Sequence, residues 1–148
     1  MTTAISASAR MATAIALALA EQGSKVAICH HQDGLNAADT LSELQTKTEA
    51  LCADIDIADE YQTEIFFDQV EAELGIPSVI VSNAGIIHEA PLTDTRAEDF
   101  DRVIDVNLRG CFLVNREAVR RIKRAAIPQG RIINVASDLG YLGREDMV

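Results

Sequence analysis

The chain reads as a doubly wound α/β domain, a parallel sheet covered by helices on both faces. Three observations predict it. Short apolar runs alternate with helix-length segments, a spacing too long for hairpins. The run Val79-Ile80-Val81 is apolar throughout, as suits a strand buried on both faces. A polar or small-residue cluster follows each apolar run, and in such sheets ligands bind beyond the carboxyl ends of the strands.

The elements follow in order. Ala4-Ile5 is the stub of a first strand, and a helix is expected from about residue 9 to 22. Its apolar positions Ala12, Ile15, Ala16 and Leu19 recur at helical spacing, and Gly23 supplies the Cβ-free residue that helix ends favour. Residues 25–29 form a second strand and 36–44 a second helix. Residues 50–55 make a third strand. A strongly periodic helix over 60–74 carries Ile65, Phe66, Val70 and Leu74 and stops at Gly75-Ile76-Pro77. After the fourth strand, 79–81, one long helix is expected over about 101–124, then a fifth strand over 131–135.

Composition narrows the function classes. With 148 residues and 48% hydrophobic content, the chain can bury one ordinary core. A net charge of -10 argues against a nucleic-acid binder, whose affinity begins with a positive field. The basic run Arg116, Arg120, Arg121, Lys123 and Arg124 reads as the wet face and C-terminal end of a helix. The apolar stretch 12–20 is too short to span a bilayer and ends at Glu21-Gln22-Gly23, so no membrane partner is expected. Cys29, Cys52 and Cys111 are widely spaced and flanked by apolar residues, the pattern of reduced, buried thiols in a cytoplasmic protein. No metal site is expected: His30 and His31 are adjacent and should point apart on a strand. Asp54, Asp56 and Asp59 lack calcium-loop spacing.

Asn83-Ala84-Gly85 after the fourth strand, Asn107-Leu108-Arg109-Gly110 in the long helix, and Ile132-Ile133-Asn134-Val135-Ala136-Ser137 at the fifth strand form a set at fixed spacing. With it the chain resembles the short-chain dehydrogenase/reductase family along its whole length, most like 3-oxoacyl-carrier-protein reductases and sugar or alcohol dehydrogenases. The resemblance implies a Rossmann-like fold, an NAD or NADP cofactor and a small alcohol or carbonyl substrate. It assigns Asn83, Ala84 and Gly85 to the adenosine side of the cofactor cleft, and Asp56 and Ile57 to the adenine ring. It makes Ser137 the serine that orients the carbonyl. Asn107 becomes the helix asparagine that supports a water-linked proton path to a catalytic lysine. His88 would lie near the substrate entrance. The long helices form subunit contacts in the family, so a homo-oligomer is a further expected partner.

Three departures from the family pattern matter. The three glycines of its first loop fall here on Ser6, Arg10 and Ala12. Glycine lets the backbone turn tightly against the pyrophosphate, and a side chain forced to positive φ costs about 1–2 kcal/mol. Arg10 is read as an obstruction, with neutralisation of a phosphate as the alternative, and Ser6 or Ser8 as a helix cap. His30 stands where NAD-preferring members place an aspartate, which leaves room for a 2′-phosphate. A pair of solvated loop histidines is the alternative. Finally, the family's tyrosine–lysine pair should follow Ser137 by a dozen residues, and the sequence has only Tyr141 and no later lysine. Residues 1–148 are therefore expected to form an incomplete, C-terminally truncated three-layer α/β/α domain with little activity. The alternatives are a nucleotide-binding or a protein-interaction module.

Overall fold

The computed structural model describes residues 1–6 and 9–146. The elements run β1 (Thr2–Ser6), α1 (Ala9–Glu21), β2 (Lys25–His30), α2 (Gly34–Gln45), β3 (Ala50–Asp54), α3 (Glu60–Leu74) and β4 (Val79–Ser82). Then come α4 (Ala97–Ile104), a π-helical segment Asp105–Gly110, α5 (Cys111–Arg124), β5 (Arg131–Asn134) and the short α6 (Leu139–Leu142). The strands form one parallel sheet in the order β3-β2-β1-β4-β5. This is the expected doubly wound α/β fold, built by apolar strands that cannot pair with their sequence neighbours except through a helical crossover.

Alternation along each strand sends side chains to two cores. Ile5, Val26, Ile28, Val79 and Val81 pack with Ala12, Ala16 and Ala20 of α1 and Leu44 of α2. Ala4, Ala27, Cys29, Leu51 and Ile80 pack with Phe66, Phe67 and Val70 of α3 and Val114 and Ala118 of α5. The helical face of α3 differs from the one expected: Ile65 is 44% exposed, whereas Phe67 is buried. A lone β-branched residue beside two aromatics gave no means of choosing between adjacent positions. Cys29 is buried as expected, but Cys52 and Cys111 are only partly covered. Burial, with Cys52 nearby, pushes the Cys29 thiol up to about 12.

The long helix also differs. It starts at Ala97, not near residue 101, because Arg96 takes an extended backbone and Glu98 and Asp99 favour the positive end of the first turn. It is then interrupted by the π turn before continuing to Arg124. The turn over α6 was not foreseen; four residues carry no periodic signal. At the sheet edge, where β5 has β4 as its one neighbour among the described strands, Ile133 and Val135 are exposed and Ile132 packs partly on the core.

The two helices under the second core are tied by charge. Arg121 of α5 is buried, as is Glu117 one turn earlier, and the two form an ion pair. Arg121 also reaches Asp68 and Glu71 of α3 and sits over the Phe67 ring. A buried charge that loses its partner is far costlier than the pair is beneficial. Arg121→Met is expected to cost about 3–5 kcal/mol in urea melts. Adding Glu117→Met to it should recover much of that loss, a non-additivity that independent sites do not show.

Candidate functional site at the carboxyl edge of the sheet

Register brings the strand ends to one edge. Ser6 lies opposite Cys29 and Ser82, His30 opposite Asp54, and Ser82 opposite Asn134. The loops after all five strands therefore leave the sheet on the same side. The chain order reverses between β1 and β4, so the place where doubly wound sheets bind ligands lies beyond the carboxyl ends of these two strands.

The loop after β4 is held by the π turn. Asn107 Oδ1 accepts the Ile86 backbone N–H at 2.8 Å and Asn107 Nδ2 donates to the Ile86 carbonyl at 2.9 Å. Both amide functions are thus spent on one backbone residue, as in a sheet ladder. Gly85 makes room, since a Cβ there would lie 3.4 Å from Asn107 Oδ1. Asn83 is buried beneath this clasp and Ala84 packs on the core. A π turn carries one extra residue per turn and releases a backbone carbonyl from the usual ladder, which is why such turns gather at functional places.

The loop after β3 is held from the same helix. Asp56 Oδ1 accepts the Ala58 N–H at 2.9 Å, and Asp56 Oδ2 accepts from Arg102 Nη1 of α4 at 2.8 Å. Arg109 of the π turn donates to the Ala58 carbonyl. Ile57 is buried against Gly110, where an added Cβ would fall 2.8 Å from its Cδ1 and Cγ1. Only glycine permits that approach. Asp59 caps α3 through the Gln62 N–H. Partial burial pushes the Asp56 carboxyl up, but the Ala58 N–H and the Arg102 bond and charge outweigh it, with a smaller contribution from His31, and hold it below its ordinary value.

The other expected residues lie as follows. His30 is mostly covered, and its Nδ1 accepts the Asp33 N–H at 3.3 Å, which places the ring proton on Nε2. The two imidazoles do not point apart: His30 Nδ1 and His31 Nδ1 lie 3.8 and 3.9 Å from the same Asp54 Oδ1, since β2 ends at His30 and strand alternation does not extend to His31. Among the described residues no three His, Cys, Asp or Glu side chains are grouped to hold a metal. Ser6 ends β1, and Ser8 lies outside the described residues. Ala12 packs into the core, so its methyl is absorbed by the α1–sheet contact. Arg10 is exposed and lines an open cavity of about 290 Å³ with Thr13, Asn36, Asp39, Thr40 and Glu43.

Ser137 leaves β5 beside the β4 loop. Its Oγ accepts the Leu139 N–H at 3.2 Å, and Asp138 Oδ1 lies 3.4 Å away. Tyr141 is 95% exposed on α6. Beneath them, Ser82 Oγ meets Asn115 Oδ1 at 3.2 Å, and Asn115 Nδ2 donates to Asn134 Oδ1 at 3.1 Å, so β4, β5 and α5 are pinned together under the loops. His88 is partly buried in the loop after β4, with an enclosed Nε2. Arg102, Arg109 and Ile86 were not singled out in the sequence. Their one signal is the pair of arginines flanking Asn107 in a chain whose β3 loop is acidic.

This edge has the counterpart it implies. A short chain dehydrogenase family model matches residues 3–148. A short-chain type dehydrogenase/reductase of Picea abies is 34% identical over 135 residues, covering 84% of this chain and 49% of that protein. Versicolorin reductase 1 of Aspergillus parasiticus is 34% identical over 126 residues, covering 84% and 47%. Among solved structures, an NAD+-bound xylitol dehydrogenase superposes with a TM-score of 0.90 at 27% identity, over 99% of this chain and 56% of that one. The chain belongs to the short-chain dehydrogenase/reductase family. It spans about half the length of the curated relatives it matches.

The lowered pKa of Asp56 has a direction that can be checked. A carboxylate whose folded pKa is depressed contributes stability above its unfolded pKa and loses it as pH falls through the folded value. Asp56→Asn should therefore lower the melting temperature at neutral pH. The gap to the native chain should begin to close as pH falls below the ordinary carboxylate value of 3.8 and vanish only below the still lower folded value, where Asp56 is itself protonated. Melts at stepped pH read this directly, and a gap independent of pH would count against the ion pair.

Proposed function

We propose that this chain forms the adenosine-binding and carbonyl-orienting part of an oxidoreductase that uses NAD or NADP on a small alcohol or carbonyl. The observation that carries the reading is the joint anchoring of the β3 and β4 loops by one π turn. Arg109 of that turn holds the Ala58 carbonyl beside Asp56, which Arg102 of α4 also pairs, and Asn107 holds the loop that follows Asn83-Ala84-Gly85, near the switch point of the sheet. Family membership supports it, as does the likeness to a structure titled as NAD+-bound. Three unpaired cysteines support a reducing, cytoplasmic setting.

The residues at hand suit the adenosine end of such a cofactor. Asp56 offers carboxylate oxygens, and Gly85 leaves the β4 loop open beside Asn107. At the first loop, Ser6 and Arg10 stand where close approach favours glycine, which weakens the pyrophosphate contact. When bound, the nicotinamide supplies or accepts the hydride. Ser137 donates a hydrogen bond to the substrate oxygen and stabilises the charge developing there. Reduction also needs a proton for that oxygen. Ser137 is a poor acid for this, and Tyr141 stands only four residues on and faces solvent.

The test is a steady-state assay on nicotinamide absorbance, run beside calorimetry with NAD and NADP. The 148-residue chain is expected to bind dinucleotide weakly and to show no turnover. A chimera that adds the C-terminal half of a structural relative is expected to turn over, and to lose about 10²–10³ of that rate with Ser137→Ala. Robust turnover by the unextended chain, abolished by Ser137→Ala, would mean that another proton donor is present.

A second reading, a protein-interaction module, is favoured by one surface. Phe100, Ile104, Leu108 and Phe112 are exposed at four-residue spacing along α4, the π turn and α5. An apolar stripe of this kind marks an association surface. Light scattering is expected to show concentration-dependent assembly that Leu108→Glu with Phe112→Glu disperses. Assembly without any dinucleotide binding would favour this reading over the first.

A further inference from the structure

We propose that the turn from β2 into α2 is a proton-operated switch. Neutral His30 holds the turn closed through the Asp33 N–H, and the protonated ring releases that N–H and pairs with Asp54. The switch is a property of this turn, whatever occupies the ligand edge of the sheet.

Three polar contacts close the turn. His30 Nδ1 accepts the Asp33 N–H at 3.3 Å, Asp54 Oδ1 accepts the Gln32 N–H at 3.1 Å, and Asn36 Nδ2 donates to Asp33 Oδ1 at 2.7 Å. Among them Gln32 sits at φ +57°, a conformation that a residue other than glycine keeps when its surroundings hold it there. The Asp33 side chain makes no cap bond to α2, which leaves the entry to that helix tied through the imidazole and Asn36.

An imidazole nitrogen accepts an N–H only while it is unprotonated. Proton uptake at Nδ1 would set two donors 3.3 Å apart, a contact that repels. With its side chain 12% exposed, the ring has little water to turn to. A new acceptor is already in place. His30 and Asp54 stand opposite each other across β2 and β3, with His30 Nδ1 3.8 Å from Asp54 Oδ1. A shift of roughly 1 Å turns that approach into a charge-assisted hydrogen bond.

The charged and titratable groups around the ring define what else could act on it. Asp54 faces it from β3, Asp33 from the start of α2, and His31 shares Asp54 Oδ1 at 3.9 Å. Asp56, farther along the β3 loop, is paired with Arg102. In the small cavity that His30 lines with Thr13 of α1 and Thr40 of α2, the other titratable groups are Asp33 and Cys29, whose thiol burial keeps protonated. Arg10, Asp39 and Glu43 line the neighbouring cavity, which shares Thr13, Asn36 and Thr40.

The experiment is NMR on the isotope-labelled 148-residue chain, following the Gln32, Asp33 and Gly34 amides and the imidazole nitrogens. The pH is lowered from about 8 to about 5, the range in which imidazoles gain a proton. The Asp33 amide is expected to shift with the same midpoint as the His30 ring. On the acid side it should lose about tenfold of its protection from hydrogen exchange, the worth of one hydrogen bond. His30→Asn, whose amide oxygen can accept the same N–H and does not titrate, should make the Asp33 amide indifferent to pH. Asp54→Asn should move the midpoint to lower pH, and His31→Gln should leave the transition in place. If His30→Asn does not fold, coincidence of the two midpoints in the native chain decides. An Asp33 amide that ignores titration of the His30 ring overturns the proposal and leaves a solvated histidine pair. A transition that survives His30→Asn, vanishes in His31→Gln or keeps its midpoint in Asp54→Asn overturns it as well.

Discussion

The edge of this sheet is organised by one break in a helix. From Ala97 to Arg124 the backbone would run as a single helix, but between Asp105 and Gly110 it widens into a π turn. A regular helix repeats its faces every three or four residues and would hold Arg102, Asn107 and Arg109 to that spacing. The extra residue resets the phase. Asn107 turns to the β4 loop, Arg109 to the β3 loop, and Gly110 comes close enough to Ile57 that no side chain fits between. Two loops that follow different strands are thereby fixed in one frame.

That frame explains an asymmetry across the crevice. The side formed by β3 and β4 is over-determined: Asp56 is held by two donors, Ile86 by two amide bonds, and Ile57 by core packing. The side formed by β1 differs in its residues. Its positions Ser6, Arg10 and Ala12 depart from glycine, the residue that gives a loop room to wrap a pyrophosphate. Ala12 has found a use as core, packing with Ala16 and Ala20 against the sheet. Affinity at such a site would rest on the base and its ribose more than on the phosphates.

Much of this was legible in the sequence, for reasons that are local. The strand runs declare themselves because a parallel sheet buried on both faces demands unbroken apolar stretches, and Val79-Ile80-Val81 can be little else. Asn83-Ala84-Gly85 and Ser137 stood out because they follow such runs, and Asn107 because its motif resembles the family's. What escaped was non-local. Nothing in the spacing announces that Arg102 pairs with Asp56, since ion pairs across 46 positions leave no periodic trace. The π turn was equally silent, because its sequence has ordinary helical hydrophobicity. The expected face of α3 took in Ile65 and left out Phe67 for a related reason: each residue turns the helix by about 100°, and only packing against the sheet decides which of these neighbouring apolar positions faces it.

The silent features are also the ones that convert fold into site. A parallel sheet with helices on both faces would satisfy its backbone and its cores without Arg102, Arg109 or the clasp at Ile86. None of the three buries enough apolar surface to be required by packing. Their common effect is to remove freedom from two loops at the ligand edge, where each ordered residue would otherwise have to be ordered by the ligand at the cost of affinity. Placing that order in a helix already fixed by Arg121 and the second core makes the loops rigid before anything binds. Preorganisation of this kind is what separates an edge that merely collects polar residues from one that can select a ligand.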